Sequence, residues 1–327
     1  MPSITVLLAV HNGEVWLEQA VESVLSQSYT NYEFLIIDDG SSDQTPSILR
    51  SYTLLDHRIR VITQSNSGLV HSLNRGLSEA QAPWILRLDA DDYCLPERLA
   101  AQVAFAASNT NLAAFGSSFI RVDHAGRELD LWRLQGDHTE ILDRLLTSRT
   151  FFPHSSVCFS RQKALAVGGY TLAMRRAQDT DLWLRLSEVG TLAVLPEPYV
   201  AIRIHPQQIS AEDCGREQLI FGWMAVVAYE LRKHAFIDPL STPELSQSFK
   251  SFIDVEMTFA GIHRLVQIKR QLKQLFRSSA IFKDISLFAG LLLRLILSPK
   301  IIAFLLFERT INQRLRLLLS ARWIQIS

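Results

Sequence analysis

The sequence has few cysteines and lacks a recognisable targeting segment. Its three cysteines, Cys94, Cys158 and Cys214, are widely and oddly spaced, which excludes a disulfide framework and a zinc-ligand pattern. We therefore expect free thiols in a reducing compartment. The first residues run directly into an apolar segment, without the basic region and cleavable apolar stretch of a signal peptide. We expect a cytoplasmic protein.

Glycine-rich phosphate loops are also absent. Only Gly13 follows the first strand-like segment at residues 4–10, whereas the dinucleotide-binding fingerprint and the P-loop each place several glycines there. A nucleotide bound beside this strand would need another way to offset its phosphate charge, and a metal ion is the way that we expect.

No one sign of charge dominates, and the 327-residue chain has a formal net charge of zero. Hydrophobic residues make up 48% and charged residues 20%, which excludes wholesale disorder and allows a substantial core. Residues 262–327, however, contain twelve Lys and Arg but two Asp and Glu, a balance of +10 that leaves −10 for the remainder. A basic C-terminal segment of this kind suggests contact with an anionic surface.

Strand-like and helix-like segments alternate along the first two-thirds of the chain. Strands are predicted at 4–10, 33–37, 60–62, 84–88, 112–123, 157–159 and 191–195, and helices at 14–27, 45–52, 68–80, 96–107, 138–148 and 179–189. This alternation predicts an α/β domain with a mostly parallel sheet flanked by helices. Long helices follow beyond about residue 212, so we predict two regions, 1–211 and 212–327.

The most informative stretch is Asp89-Ala90-Asp91-Asp92, directly after the apolar run at 84–88. Three carboxylates this close repel one another unless positive charge lies between them. Mg²⁺ typically binds one or two carboxylates together with substrate phosphates. Capping of the helix after Pro96 would explain one carboxylate but not three. The cluster therefore predicts a divalent cation and a phosphorylated ligand.

A second acidic segment, Asp38-Asp39-Gly40-Ser41, ends another predicted strand. Ligands of open α/β sheets bind beyond the carboxyl ends of the strands. This segment, the cluster at 89–92 and Val10-His11-Asn12 would therefore meet at one edge of the sheet. A turn that caps the next helix is an equally good interpretation of the second acidic segment read alone.

The ordered series of motifs over about residues 1–210 resembles the family 2 glycosyltransferases, which have the GT-A fold. No single motif is specific, but their order and spacing together are. The matching segments are 6–12, 23–29, 36–43, Asn66-Ser67-Gly68, 73–77, Leu88-Asp89-Ala90-Asp91-Asp92, 96–99, Gly168-Gly169-Tyr170 and Gln178-Asp179-Thr180-Asp181-Leu182-Trp183-Leu184-Arg185. The resemblance does not cover the C-terminal region.

The resemblance implies a nucleotide-activated sugar donor, with a UDP-sugar expected. Asp39 would hydrogen-bond the nucleotide base beside the backbone of residues 9–11. His11 stands where tyrosine is usual in the family, a change that bears on base stacking. The residues expected on the donor side are Ala9, Val10, His11, Asp39, Gly68, Asn74, Asp89 and Arg203.

The resemblance also implies a Mn²⁺ or Mg²⁺ ion and a catalytic base. Asp89 and Asp91 would form the metal-binding pair, with Asp91 the expected direct ligand and His205 a further one. The ion would stabilise the nucleoside diphosphate as it leaves. Asp179 would take the proton of the attacking hydroxyl, and one base with in-line displacement implies inversion at the anomeric carbon. Capping of the following helix is the alternative role for Asp179.

Four residues match positions that line the acceptor side in the family, namely His154, Gly169, Gln178 and Trp183. Gln178 stands where glutamate is usual, which bears on acceptor contacts rather than on the base. A structural role for His154 and core packing for Trp183 are the alternatives. A solvated surface pair is the alternative for Arg203 and His205.

Two apolar runs, 285–297 and 301–307, lie in the basic C-terminal region. Neither reaches the roughly 20 residues that span a bilayer, and Arg294, Pro299 and Lys300 interrupt a continuous span. Basic residues on both sides suit helices that lie on an anionic membrane surface. An ordinary helical subdomain or a dimer contact is the alternative.

The sequence thus predicts an inverting, metal-dependent glycosyltransferase of polysaccharide biosynthesis, with a glycan or lipid-linked acceptor, at the cytosolic face of a membrane. No nucleic-acid partner is expected. Two alternatives remain. A sugar nucleotidyltransferase would be expected to carry a glycine-rich phosphate loop. An inactive sugar-nucleotide sensor or scaffold would have no reason to keep Asp39, Asp89, Asp91 and Asp179 together.

Overall fold

The computed structural model describes residues 1–148, 151–206, 208, 216–259, 316, 319–320 and 322–324. The chain divides into two compact units, Met1–Leu145 with Thr150–Gln208 and Leu146–Arg149 with Ile209–Ser327. The predicted boundary after residue 211 and the apolar runs at 285–297 and 301–307 lie outside the described residues.

The first half of the sheet in the first unit is parallel throughout. Its strands are β1 (Ile4–Val10), β2 (Tyr32–Asp38), β3 (Ile59–Thr63) and β4 (Trp84–Arg87), in the order β3-β2-β1-β4. They are connected by α1 (Leu17–Leu25), α2 (Thr45–Leu55) and α3 (Leu69–Glu79). β1 and β2 are buried along their whole length, as expected for strands covered on both faces.

The second half of the sheet is mixed. Its strands are β5 (Tyr93–Cys94), β6 (Leu112–Val122), β7 (Glu128–Trp132), β8 (Cys158–Ser160) and β9 (Thr191–Arg203), in the order β4-β8-β6-β9-β5 with β7 beside β6. β8 is antiparallel to both neighbours, β5 to β9, and β7 to β6. Only β6 and β9 pair in parallel here. This half departs from the predicted parallel arrangement because connections such as the turn at 123–127 are too short for a parallel crossover.

The remaining helices of this unit are α4 (Arg98–Ser108), α5 (His138–Ser148), α6 (Arg161–Ala166) and α7 (Gln178–Ser187), and a 3₁₀ turn spans His154–Ser156. α5 has the predicted bounds. The N-cap of α4 is Glu97, so Asp92 does not cap it. β9 continues well beyond the strand predicted at 191–195 and ends at Arg203, which brings that residue to the acidic cluster.

The helix α3 packs on β1 through apolar side chains and one glycine. Val70, Leu73 and Leu77 recur at helical spacing and are buried. Each buried side chain of this kind contributes about 1.5–3 kcal/mol. Gly76 lies so close to β1 that an added Cβ would come 2.2 Å from Leu7 Cδ1. The small residue therefore lets the helix approach the strand.

The described part of the second unit consists mainly of α8 (Arg216–Lys233) and α9 (Pro243–Phe259). Ion pairs join Arg216 to Asp254 at 2.7 Å and Lys250 to Glu217 at 3.0 Å, linking the two helices. Among the residues that the structure describes, no helix is both long and apolar enough to cross a membrane.

Candidate active site

Three segments leave the carboxyl edge of the parallel strands next to one another. β1 pairs with β2 along its full length, and the Asp39 N–H donates to the Val10 carbonyl at 2.8 Å. On the other side of β1, the Leu88 N–H donates to the Leu7 carbonyl at 3.1 Å. This pairing brings residues 89–92, the acidic loop, to the same edge, where ligands of α/β sheets bind.

Asp39 is buried, and three N–H donors hold its carboxylate. Gln64 Nε2 and the Ser67 N–H donate to Oδ1 at 2.8 and 2.9 Å. The N–H of Gly68, whose φ of 91° favours glycine, donates to Oδ2 at 2.8 Å. Burial raises the pKa of Asp39, but these hydrogen bonds outweigh burial and leave the pKa below its usual value. A hydrogen bond from Ser72 lowers the pKa further. The ionised carboxylate accepts hydrogen bonds only, so a ligand group that meets Asp39 is expected to be a donor.

The loops that follow β1 and β2 are joined by hydrogen bonds. The Asn12 N–H donates to Ser41 Oγ at 2.9 Å, and the Ser42 N–H donates to Asn12 Oδ1 at 2.8 Å. The Gly13 N–H donates to Thr45 Oγ1 at 2.8 Å. Side chains of each loop thus accept hydrogen bonds from backbone N–H groups of the other, and these bonds hold the two loops together beside Asp39 without a ligand.

His11 lies exposed at the end of β1, and its ring is held by two neighbours. Nδ1 lies 3.0 Å from the Asp39 carbonyl, to which its protonated form donates, and Asn66 Nδ2 lies 3.1 Å from both ring nitrogens. The side chains of Ala9 and Val10 are buried, so only their backbone can face a ligand. His11 is therefore the side chain of this strand end that can stack on a base.

Asp89 is paired with a buried arginine. Arg87 Nη2 forms an ion pair with Oδ1, and Ser155 Oγ donates to Oδ2 at 2.9 Å. Burial raises the pKa of Asp89, but the positive charge of Arg87 outweighs it and leaves the pKa below its usual value. Because protein donors engage both oxygens, Asp89 is less open to a metal than the sequence predicts.

Asp91 is the carboxylate of the acidic loop that reaches toward solvent. Its side chain is 31% exposed, and Oδ2 lies 2.9 Å from His205 Nε2. Burial raises the pKa of Asp91, and the negative charge of Asp89 raises it further. Asp92 is buried and accepts the Arg203 N–H at 2.8 Å. Burial and the charge of Asp91 raise the pKa of Asp92 well above its usual value.

The acidic loop fits a divalent cation. The raised pKa values of Asp91 and Asp92 indicate negative charge that the surrounding protein leaves uncompensated. Carboxylate and water oxygens suit Mg²⁺ and Mn²⁺, and His205 offers a nitrogen beside Asp91. Within the described ranges, no group of three or more His, Cys, Asp or Glu side chains already surrounds a metal position. A cation would therefore complete its shell with substrate phosphates and water.

Arg203 does not face the space in front of the acidic loop. Its side chain is 1% exposed, and its guanidinium donates to the backbone carbonyls of Asp91, Asp123 and His124 at 3.0, 3.1 and 3.0 Å. The predicted contact between Arg203 and the donor is not supported by this geometry, because the N–H groups point at the protein.

Asp179 lies half-buried in the first turn of α7. The N-cap residue of this helix, Ala177, has a φ of 51°, a left-handed conformation that costs a non-glycine residue roughly 1–2 kcal/mol. Burial raises the pKa of Asp179 to about 6, and the negative charge of Asp89 raises it as well. The Thr180 N–H, which donates to Oδ1 at 2.7 Å, has the opposite effect. Because the charge of Asp89 contributes to this shift, the two carboxyl groups lie within electrostatic range of each other.

A buried ion pair holds α7 in place. Arg185 Nη2 lies 2.6 Å from Asp181 Oδ2, and Arg185 Nη1 donates to the carbonyls of Val167 and Gly169 at 2.7 Å each. Thr171 Oγ1 donates to the same Asp181 oxygen at 2.6 Å. The helix that carries Asp179 is thus tied to the segment that precedes it.

Asn74 and Gly169, predicted on the donor and acceptor sides, shape that preceding segment. Asn74 Nδ2 donates to the Tyr170 carbonyl at 2.7 Å, and the Tyr170 N–H donates to Asn74 Oδ1 at 2.8 Å. Gly169 has a φ of 71°, and a Cβ there would lie 2.6 Å from Asn74 Oδ1. Both residues therefore position Tyr170 and the chain leading to the base.

The remaining residues predicted on the acceptor side are buried. His154 Nε2 shares a 2.8 Å hydrogen bond with the Tyr170 hydroxyl. Burial, assisted by the positive charge of Arg87, lowers the pKa of His154 to about 3, so the ring is neutral. Trp183 is fully buried and packs 5.6 Å from the Phe159 ring, as core packing requires. Gln178 is buried as well.

Sequence reasoning missed several residues that support the site, namely Arg87, Arg98, Ser155, Tyr170, Asp181 and Arg185. Arg87 carried a signal, because it interrupts the apolar run at 84–88 and a charged residue at a core position needs a partner. Ser155 carried none, since hydroxyl residues are common in loops. Tyr170 belongs to a matching motif, but the motif does not indicate that its hydroxyl pairs with His154.

Comparisons with known proteins agree with the fold and the motifs. The profile of Glycosyl transferase family 2 matches residues 5–168, half of the chain. The amylovoran biosynthesis glycosyltransferase AmsE of Erwinia amylovora is 30% identical over 203 residues, which cover 61% of this chain and 75% of AmsE.

Two solved structures share the fold. S. aureus TarS 1–349 in complex with UDP-GlcNAc matches with a TM-score of 0.60 and 18% identity over 79% of this chain and 72% of that chain. The mannosyltransferase PcManGT from Pyrobaculum calidifontis, in complex with GDP-Man and Mn²⁺, matches with a TM-score of 0.54 and 16% identity over 98% and 86%.

The family profile covers the segments that carry Asp39 and the acidic loop, and the solved structures share the sheet and helices that present them. The named relatives are glycosyltransferases, which leaves the nucleotidyltransferase and inactive-scaffold alternatives without support. The chain therefore belongs to glycosyl transferase family 2, has the GT-A fold and is a glycosyltransferase.

Proposed function

We propose that this glycosyltransferase is inverting and metal-dependent, and that it moves a sugar from a nucleoside diphosphate donor to a hydroxyl of a glycan or lipid-linked acceptor. The observation that carries the proposal is Asp179, a half-buried carboxyl whose pKa is raised to about 6 and which interacts electrostatically with Asp89. A carboxyl group that titrates near the working pH is suited to take a proton from a hydroxyl.

The donor base would bind at Asp39. The Asp39 carboxylate can accept from a ring N–H, which uracil carries at N3 and guanine at N1, whereas the corresponding ring nitrogens of cytosine and adenine carry a lone pair. The complexes of TarS with UDP-GlcNAc and of PcManGT with GDP-Man contain bases of this kind. We propose a UDP-sugar donor, with His11 stacked on the base and the backbone of Ala9 and Val10 beside it.

The donor diphosphate would lie over the acidic loop. Asp91 would hold Mn²⁺ or Mg²⁺, with His205 beside it and Asp89 held by Arg87. A bound cation would supply electrostatic stabilisation of the charge that develops on the departing diphosphate. Without one, Asp89, Asp91 and Asp92 would repel the phosphates, which is why the three carboxylates argue for a metal.

Asp179 would accept the proton of the acceptor hydroxyl. The bond from the hydroxyl oxygen to the anomeric carbon forms as the bond from that carbon to the diphosphate oxygen breaks, and the configuration inverts. The Asp181–Arg185 pair and the Asn74–Tyr170 pair orient α7 without touching the reacting atoms. These pairs fix the orientation of the Asp179 carboxylate, because a general base acts efficiently only when it is held in the correct direction.

Donor binding tests the proposal directly. In thermal-shift titrations with Mn²⁺, we expect UDP-sugars to stabilise the protein most, GDP-sugars less, and CDP- and ADP-sugars little. In the latter two bases the ring nitrogen that corresponds to uracil N3 or guanine N1 carries a lone pair, which repels the Asp39 carboxylate. The same titrations in EDTA serve as controls for the metal. Equal stabilisation by all four nucleotides, or by none, would contradict the role of Asp39.

We further propose that the enzyme serves polysaccharide biosynthesis, as the name of AmsE suggests, and works as a cytoplasmic protein on a membrane surface. The +10 balance of residues 262–327 supports the membrane contact. The full-length protein should sediment with anionic but not zwitterionic vesicles and should be released by high salt, because exposed charges are screened. Absence of binding, or equal binding to both vesicles, would refute the contact.

A further inference from the structure

Arg203, at the end of β9, is a buried cation that the proposed chemistry does not use. Its Nε donates to the Asp91 carbonyl at 3.0 Å, and Nη1 donates to the carbonyls of Asp123 and His124 at 3.1 and 3.0 Å. Nη2 donates to Gln19 Oε1. Because a guanidinium has five N–H groups, four of the five are already directed at protein oxygens.

Aromatic rings connect Arg203 to His205. The Arg203 guanidinium carbon lies 5.4 Å from the centroid of the Trp16 ring and 5.8 Å from that of Tyr93. The Trp16 ring in turn lies 4.4 Å from the His205 ring. Cation–π contacts therefore help to hold the guanidinium in place, and Trp16 packs between Arg203 and His205.

We propose that Arg203 is a positioning residue for the cation site and not a ligand of the donor. It joins α1, the acidic loop and the β6–β7 turn, and thereby keeps Asp91 next to His205 at 2.9 Å. Gln19 belongs to the same arrangement, because it accepts from the outer nitrogen of Arg203. The inference rests on the proposed metal-dependent function.

A second buried guanidinium holds the other end of the acidic loop. Arg87 Nη2 pairs with Asp89, and Arg98 Nη2 donates to the Arg87 carbonyl at 3.0 Å. Buried arginines thus hold the Asp89 side chain and the Asp91 backbone, while the Asp91 side chain stays 31% exposed.

Two variants separate positioning from direct donor binding. Gln19→Met removes one acceptor from an exposed helix position and should leave the fold intact. Arg203→Lys keeps the charge but loses the fork of donors. If Arg203 contacted the sugar nucleotide, Gln19→Met would free an Arg203 N–H group for that contact, and nucleotide affinity would be unchanged or improved. Gln247→Met, at an exposed position of α9, is the matched control.

Three readouts are needed, two of them independent of metal. Hydrogen–deuterium exchange of residues 89–94, measured without metal or nucleotide, should rise in Gln19→Met and in Arg203→Lys but not in Gln247→Met. Mn²⁺ affinity, measured by electron paramagnetic resonance, should fall roughly 10–100-fold in Arg203→Lys, as for other residues behind metal ligands. It should fall less in Gln19→Met, and UDP affinity in EDTA should stay at the wild-type value in both.

Each result decides the inference. Unchanged exchange together with unchanged Mn²⁺ affinity overturns it. Weaker UDP binding in EDTA with unchanged exchange also overturns it, because that pattern marks a direct donor ligand. A wild-type protein that binds no Mn²⁺ refutes the proposed metal dependence instead, and the exchange of residues 89–94 alone then decides whether Arg203 positions the loop.

Discussion

Asp179→Asn should lower kcat for sugar transfer by roughly 10²–10⁴-fold, the range expected when a positioned general base is lost. Asparagine keeps the shape of the side chain, so donor binding should remain close to that of the wild type. The measurement is the release of nucleoside diphosphate in the presence of acceptor, together with donor affinity by calorimetry. Asp56→Asn makes the same chemical change in the loop before β3 and serves as the control. Transfer at a near wild-type rate would show that Asp179 is not the base.

The pH profile provides a second check on the same residue. The pKa of Asp179 is raised to about 6 from its ordinary value, so the carboxylate that accepts the proton is present above that pH and lost below it. Wild-type kcat/KM should therefore fall about tenfold per pH unit below the pKa. The raised pKa also means that ionised Asp179 destabilises the fold above about pH 6. Asp179→Asn should then have a higher Tm than the wild type at pH 8, whereas an unchanged or lower Tm would contradict the burial argument.

Asp91→Ala should abolish metal-stimulated turnover. Loss of a cation that stabilises the leaving diphosphate by several kcal/mol corresponds to a rate loss on the order of 10²–10³-fold. The measurement is nucleoside diphosphate release against added Mn²⁺ after EDTA treatment. The half-saturating Mn²⁺ concentration should rise steeply in Asp91→Ala.

Retention of the wild-type Mn²⁺ response by Asp91→Ala would contradict the assignment of the cation to the acidic loop. Asp89→Asn offers a contrast within the same loop. Asp89 is already engaged by Arg87 and Ser155, so its loss should disturb the loop while leaving Asp91 able to bind the cation more weakly.

Elements with a strong local pattern can be predicted from the sequence, whichever half of the sheet they belong to. The apolar run at 4–10 and the helical spacing over 138–148 predict β1 and α5 with their observed bounds. Elements without such a pattern are harder to predict. β5 has two residues, Tyr93 and Cys94, and exists through its pairing with β9. β7 is exposed at most of its positions, so it shows no apolar pattern from which a strand could be predicted.

The sequence predicts which residues follow the strands better than it predicts which side chains support them from inside the protein. Asp39 and Asp91 follow β2 and β4 as predicted, and Asp179 lies in the first turn of α7. Their roles in binding and catalysis stay predictions. Arg203 and Asn74 lie close to the expected positions but point into the protein, since a motif fixes the place of a residue along the chain and not the direction of its side chain. Their hydrogen-bond partners lie in distant segments of the chain, and the spacing of residues in the sequence does not predict such contacts.

The central claim is that Asp39, Asp91 and Asp179 belong to one donor-and-acceptor site. The most direct measurement is a crystal structure of the full chain with a UDP-sugar and Mn²⁺. We expect the uracil N3–H to donate to Asp39, Mn²⁺ to be coordinated by Asp91 and the diphosphate, and the Asp179 carboxylate to face the anomeric carbon from the side opposite to the diphosphate. A nucleotide bound elsewhere, or Mn²⁺ bound away from the acidic loop, would contradict it.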